Sequence, residues 1–222
     1  MTLRYTEGRL YSPHFSPAEL IQVHCAFDDP GFLYELKHDG FRAVAHIEGG
    51  VCRLVSRRGN SYKSFGPLRE TLATLGRTAV LDGEIVVLDG DGRPQFHDLL
   101  RRRGKPVFYA FDCLSLDGQD LRLRPLIERK RILAKLVKGR PGILYAQHFA
   151  GDQGAALFRL VCEKDLEGVV AKRKDNVPLA TIVPVNPAVP LPRPCGVGVP
   201  QPCTSFQPRG VQTDAKTPAV QE

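Results

Sequence analysis

The sequence has no tryptophan, a single methionine and no two cysteines at Cys-x-x-Cys spacing. Its six cysteines, Cys25, Cys52, Cys113, Cys162, Cys195 and Cys203, fall at irregular intervals. That pattern indicates neither a zinc ribbon nor a disulfide framework, and the thiols read as reduced, several of them in the core. The histidines form no ligand spacing, so no histidine-based metal centre is expected. No apolar run approaches the length of a membrane span, and Met1-Thr2-Leu3-Arg4-Tyr5 leads into no apolar leader segment. A cytosolic protein is the expectation.

What is present is enough apolar material for one core. At 222 residues and 42% hydrophobic content, one compact domain plus a tail is the simplest arrangement. Lysine and arginine outnumber aspartate and glutamate by 31 to 24, a formal charge of +7. Such a balance favours a polyanionic partner without identifying it.

Residues 1–24 read as an irregular lead-in, with Pro13 and Pro17 and only a short apolar stretch from Leu20 to Val23. Phe32 to Leu36 suits a strand, His38-Asp39-Gly40 a tight turn, and the alternation from Phe41 to Ile47 a second strand. This predicts a hairpin with Lys37 at its rim. Val51 to Ser56 is a further strand, and Leu68, Leu72 and Leu75 recur at helical spacing after Pro67. Ala79 to Leu88 returns to strand character around Asp82-Gly83-Glu84. A short helix at Phe96 to Leu100 runs into the basic stretch Arg101 to Lys105, a candidate for contact with nucleic-acid phosphates. Val107 to Leu114 is an aromatic-rich strand. Leu126, Leu133, Leu136 and Val137 mark a longer helix with its lysines and arginines on the other face. A strand from Ile143 to His148, a helix from Gln153 to Lys164 and a strand from Gly168 to Lys172 complete the regular region. The expected fold class is α+β, with largely antiparallel sheets and flanking helices.

After Asp175 the composition changes. Residues 176–222 hold ten of the 18 prolines and contribute only +1 of the net charge, three basic residues against two acidic ones. Proline at that density opposes both ladders and helices, so a disordered tail is expected.

Five motifs occur in order: Lys37-His38-Asp39-Gly40 with Arg42, Ser56-Arg57-Arg58-Gly59, Leu81-Asp82-Gly83-Glu84, Phe108-Tyr109-Ala110-Phe111-Asp112, and Glu167-Gly168-Val169-Val170-Ala171-Lys172. The series resembles the covalent nucleotidyltransferase superfamily and, within it, the ATP-dependent DNA ligases. Phe27 to Lys37 looks most like the ligase domain of bacterial end-joining ligases. The resemblance implies a nucleotidyltransferase (adenylation) domain over residues 1–175. It implies ATP and Mg²⁺ as cofactors, and nicked double-stranded DNA and other end-joining or repair proteins as partners. The setting would be DNA repair and recombination in the bacterial cytoplasm, at the nucleoid.

By the same resemblance, Lys37 is the nucleophile that takes AMP from ATP and passes it to the 5′-phosphate of a nick. It must be neutral to attack. Moving a lysine from a pKa of about 10.4 to about 8 takes roughly 3 kcal/mol of differential stabilisation. Burial and nearby cations, Lys172 among them, would push that way, and Glu35 and Asp39 would oppose it. Arg42 and Arg57 match positions that contact the nucleotide sugar or phosphates, Phe111 the aromatic that stacks on adenine, and Glu35 a position near the adenine edge. Lys172 matches a lysine beside the phosphates. Val170 and Lys172 share one side of their strand, with Val169 and Ala171 on the other. Glu84 and Glu167 are the acidic pair implied for ribose and metal.

The chain also departs from the family pattern. A Trp-preceded Lys-x-Lys strand should follow, with an oligonucleotide-binding (OB) barrel after it. Neither tryptophan nor Lys-x-Lys occurs after residue 175, and no OB-fold domain is expected in this chain. The tail reads as unrelated sequence of the kind a frameshift or decayed gene produces, leaving a truncated enzyme with weak or absent self-adenylation. Two readings stay open at this point: a DNA ligase adenylation domain impaired in this way, or a non-catalytic remnant that binds nucleotide or DNA. The sequence leaves the oligomeric state open.

Overall fold

The computed structural model describes residues 20–22, 26–175 and 180–184. In chain order the strands are β1 (Leu20–Gln22), β2 (Phe32–Leu36), β3 (Phe41–Glu48), β4 (Val51–Ser56), β5 (Ala79–Val87), β6 (Pro106–Leu116), β7 (Gln119–Asp120), β8 (Ile143–Tyr145), β9 (His148–Phe149), β10 (Gly168–Arg173) and β11 (Ala180–Pro184). The helices are α1 (Gly66–Ala73), α2 (Phe96–Leu100), α3 (Leu126–Val137) and α4 (Gly154–Glu163). The strands form two sheets, a larger one ordered β4-β3-β5-β6-β7 with β8 beside β6, and a smaller one ordered β1-β11-β10-β2-β9. Pairing is antiparallel throughout except for β1 with β11 and β6 with β8. The α+β expectation is met.

The larger sheet is built on its centre. β5 lies between β3 and β6, and Leu81, Ile85 and Val86 are fully buried. Covered on both faces, that strand needs a near-continuous apolar run rather than strict alternation, and Ala79 to Val87 supplies one. α1 starts with Pro67 in its first turn and lays Leu68 and Leu72 against this core. The smaller sheet packs Val169 and Ala171 of β10 and Tyr34 of β2 against Leu157 and Val161 of α4.

Four expectations need correction. β2 and β3 are not a hairpin: β2 pairs with β10 and β9, whereas β3 pairs with β4 and β5. Lys37 to Gly40 is therefore the crossing from one sheet to the other. Gly40 is what lets the chain enter the larger sheet there, since a Cβ on it would lie 2.3 Å from the carbonyl oxygen of Ile85. The single strand from Ile143 to His148 is two, because the chain leaves β6 after Tyr145 and joins β2 at His148. α3 does not carry all its cations outward: Arg129 is 9% exposed and Lys130 is fully buried. Regular structure also continues past Asp175, where β11 pairs with both β10 and β1. An apolar run, Ala180 to Val183, outweighs the neighbouring prolines there. The remainder of the proline-rich tail, and residues 1–19 of the lead-in, lie outside the described residues.

Candidate functional site

Lys37 stands one residue past β2, with its N–H donating to the carbonyl of Gly168 at 2.9 Å. That bond ties the start of the crossing to the first residue of β10. The Lys37 ammonium is paired with the Glu167 carboxylate, and the two side chains are 28% and 35% exposed. Burial depresses the Lys37 pKa, and the Asp39 and Glu84 carboxylates work against it without reversing it. The expected direction holds, but the expected agents do not. Lys172 is committed elsewhere, and Glu84 rather than Glu35 joins Asp39 in opposition.

Glu84 faces Arg42 directly across β3 and β5. Burial pushes its carboxyl up to about 8, with Asp82 and Asp39 adding to the effect and Arg42 and Lys37 resisting it. Gly83 lies where β5 shifts register against β6, and a Cβ on it would lie 2.4 Å from the Tyr109 carbonyl oxygen. The close approach explains the glycine between the two acids. Arg42 is gripped bidentately by Asp82, Nε to Oδ1 at 2.9 Å and a terminal nitrogen to Oδ2 at 2.7 Å. Burial opposes the Arg42 charge, but the Asp82 carboxylate outweighs it and fixes the guanidinium as a cation.

Phe111 of β6 brings two cations together. The Arg42 guanidinium carbon is 4.7 Å from its ring centroid and the Lys172 ammonium 4.3 Å. Lys172 also pairs with Glu35 Oε2 at 2.8 Å, while the other Glu35 oxygen pairs with Lys130 at 2.7 Å. Burial alone would raise the Glu35 pKa, but its two lysines hold it below the ordinary value. As expected, Val169 and Ala171 face the α4 core and leave Val170 and Lys172 on the other side.

Lys37, Glu35, Arg42, Glu84, Phe111, Glu167 and Lys172 are thus linked by ion pairs, ring contacts or strand register at the seam of the two sheets. Arg57 is looser. It is exposed in the turn after β4 and lines, with Gly40, Arg42 and Tyr62, a cleft of about 260 Å³. A larger groove of about 460 Å³ between the end of α3 and β8 touches none of these residues except through Tyr145, the ring beside Lys130. The basic run Arg101 to Lys105 is exposed, as a phosphate-contacting segment must be. Among the described residues no three or more His, Cys, Asp or Glu side chains gather as a self-sufficient metal site. No described helix is long and apolar enough to cross a membrane.

Sequence reasoning missed the supports. Asp82 was placed in a strand but given no role, yet it fixes Arg42. Asp112, next to Phe111, is gripped by Arg129 at 2.9 and 2.8 Å. His38 stacks on Tyr109 with centroids 4.0 Å apart, and burial pushes its pKa down to about 4. Lys130 carried a visible signal, because positions 126, 130, 133 and 137 make one helical stripe and the other three are Leu, Leu and Val.

A family model described as ATP dependent DNA ligase domain matches residues 17–177. The SPbeta prophage-derived DNA ligase-like protein LigB of Bacillus subtilis is 32% identical over 167 residues, covering 72% of this chain and 61% of that protein. The multifunctional non-homologous end joining protein LigD of Pseudomonas aeruginosa is 40% identical over 151 residues, 64% of this chain and 18% of that protein. A solved mycobacterial DNA ligase D complexed with ATP and MES superposes with a TM-score of 0.63 at 29% identity, over 77% of this chain and 61% of that one. The chain therefore spans less than two thirds of the length of these relatives.

Proposed function

The chain belongs to the ATP-dependent DNA ligase domain family, and from that premise we propose that it performs the first step of ligation, transfer of AMP from ATP to Lys37. The Lys37 nitrogen attacks the α-phosphorus, one N–P bond forms, and the bond to the β-phosphate oxygen breaks. Pyrophosphate leaves with the electron pair, and the ammonium proton passes to solvent. The observation that carries this reading is the position of Lys37. It is a half-buried lysine of depressed pKa on the crossing between two sheets, paired with Glu167 and within the field of Glu84, which lies opposite Arg42.

Phe111 stacks on the adenine, with Glu35 behind it near the adenine edge. Arg42 and Arg57 meet the sugar and phosphates, and Lys172 lies beside the phosphates. Glu84 and Glu167 would hold Mg²⁺: Glu167 pairs with Lys37 and Glu84 lies within its field, and the Glu84 carboxyl, pushed up to about 8, would give up its proton to the bound ion. This ion commonly takes one or two carboxylates and fills its other positions with water and substrate phosphate. When bound, Mg²⁺ supplies neutralisation of the charge that builds on the leaving pyrophosphate. Residues 1–175 act as the adenylation domain. AMP then goes to the 5′-phosphate of nicked double-stranded DNA in repair and recombination, in a bacterial cytoplasm at the nucleoid, alongside end-joining or repair proteins.

Incubation with Mg²⁺ and ATP labelled at the α- or the γ-phosphate tests the reading. Retention of the α-label only, absent in Lys37→Ala, is expected. Retention of γ-label, or α-label undiminished in Lys37→Ala, would contradict it.

A further inference from the structure

Lys130 is the most deeply buried charge among the described residues, and none of the roles above uses it. It comes from α3, at a position where the helix otherwise presents Leu126, Leu133 and Val137 to the interior. Its ammonium donates to the carbonyl of Ala146 at 2.9 Å and lies 4.9 Å from the Tyr145 ring centroid. Its third partner is Glu35, at 2.7 Å. A buried ion pair is weak evidence of a stabilising role, since replacing the whole pair by apolar side chains is often neutral or better.

The arrangement around Glu35 explains its presence. The carboxylate has two oxygens, and each faces a different lysine: Oε1 faces Lys130 and Oε2 faces Lys172. Lys172 in turn stands over Phe111. Two cations on one anion leave the trio with a net positive charge. Without Lys130 the carboxylate would turn both oxygens to Lys172, draw its ammonium away from the ring and cancel its charge. Lys130 sits too deep to meet a nucleotide itself.

We propose that Lys130 is a positioning residue: by holding one oxygen of Glu35, it keeps the Lys172 ammonium over Phe111 and free to attract the phosphates of ATP. The inference rests on the adenylation reading above and adds to it a residue from outside the five motifs. The gain lies in the attraction of the Lys172 ammonium for phosphate, so the loss should be far larger for ATP than for adenosine.

The test uses the full chain and equilibrium binding of ATP and of adenosine, without Mg²⁺ and without turnover. Lys130→Met should keep a cooperative melt and bind ATP about tenfold more weakly, with adenosine affinity unchanged within about twofold. Lys172→Met should behave alike, and Lys130→Met added to it should produce no further loss, because the first residue acts only through the second. Lys130→Gln, which retains a donor for Ala146, is read in the same way should the methionine variant fail to fold. Failure of both neutral variants to fold would overturn the proposal, since it would assign Lys130 to stability. ATP affinity unchanged in Lys130→Met, equal losses for ATP and adenosine, or additive losses in the double variant would also overturn it while leaving the adenylation reading intact. An unaltered chain that binds no ATP overturns both.

Discussion

The two sheets are held together by different means. The larger rests on a continuous apolar cluster that runs from Ala43 and Leu54 through Leu81 and Ile85 to Leu133 and Ile143. The smaller has a modest apolar patch of Tyr34, Leu157, Val161, Val169 and Ala171, and on its other side the buried Glu35 and the half-buried Lys172 with Lys130 beneath them. One sheet is a scaffold and the other a charged surface turned toward it. Lys37 lies on the strand-to-strand crossing between the two, paired with Glu167 just before β10 of the smaller sheet and within the field of Glu84 in the larger.

Several substitutions sharpen or break that contrast. Leu81→Ala, in the strand covered on both faces, should cost about 4 kcal/mol in urea unfolding. Leu157→Ala, in the smaller patch, should cost about 2 kcal/mol, because a thin cluster at the edge of the fold collapses more readily around the gap. Equal losses would remove the distinction between scaffold and surface. Phe111→Leu should weaken ATP binding about tenfold, about 1.4 kcal/mol, and leave the unfolding midpoint nearly unchanged. A large fall in stability with intact binding would make Phe111 a core residue.

A further effect depends on pH and concerns His38. Its folded-state pKa of about 4 lies below the ordinary 6.5, so between those values the unfolded chain binds the proton more readily. Stability is therefore lost as pH falls from about 6.5 toward 4. His38→Phe keeps a ring on Tyr109 and removes that share, so the melting temperature should decline less steeply over this range. His46 and His148, also held below the ordinary value, retain theirs. An unchanged pH profile would mean that His38 is solvated.

How much of this was legible in the chain itself follows the same division. The alternation in β3 and β4, the proline at the start of α1 and the apolar run of β5 are local signals, and they located those elements within a residue or two. Strand partnership is not local. Nothing in His38-Asp39-Gly40 distinguishes a hairpin turn from a crossing between sheets, because the deciding contact is Gly40 against Ile85 on a distant strand. The same holds for the chain between Tyr145 and His148. The ordered motifs placed Lys37, Arg42, Glu84, Phe111, Glu167 and Lys172 in one site by resemblance. Their supports, Asp82 under Arg42 and Lys130 under Glu35, required the tertiary structure, since an ion pair leaves no period in the sequence.

The most direct test of the central claim is the site of attachment of AMP. The full chain is incubated with ATP and Mg²⁺, digested under conditions that preserve the phosphoramidate, and sequenced by tandem mass spectrometry. The account predicts AMP on Lys37 and on no other lysine. AMP on Lys172 or on a lysine outside the seam of the two sheets, or no adduct after prolonged incubation, would contradict it.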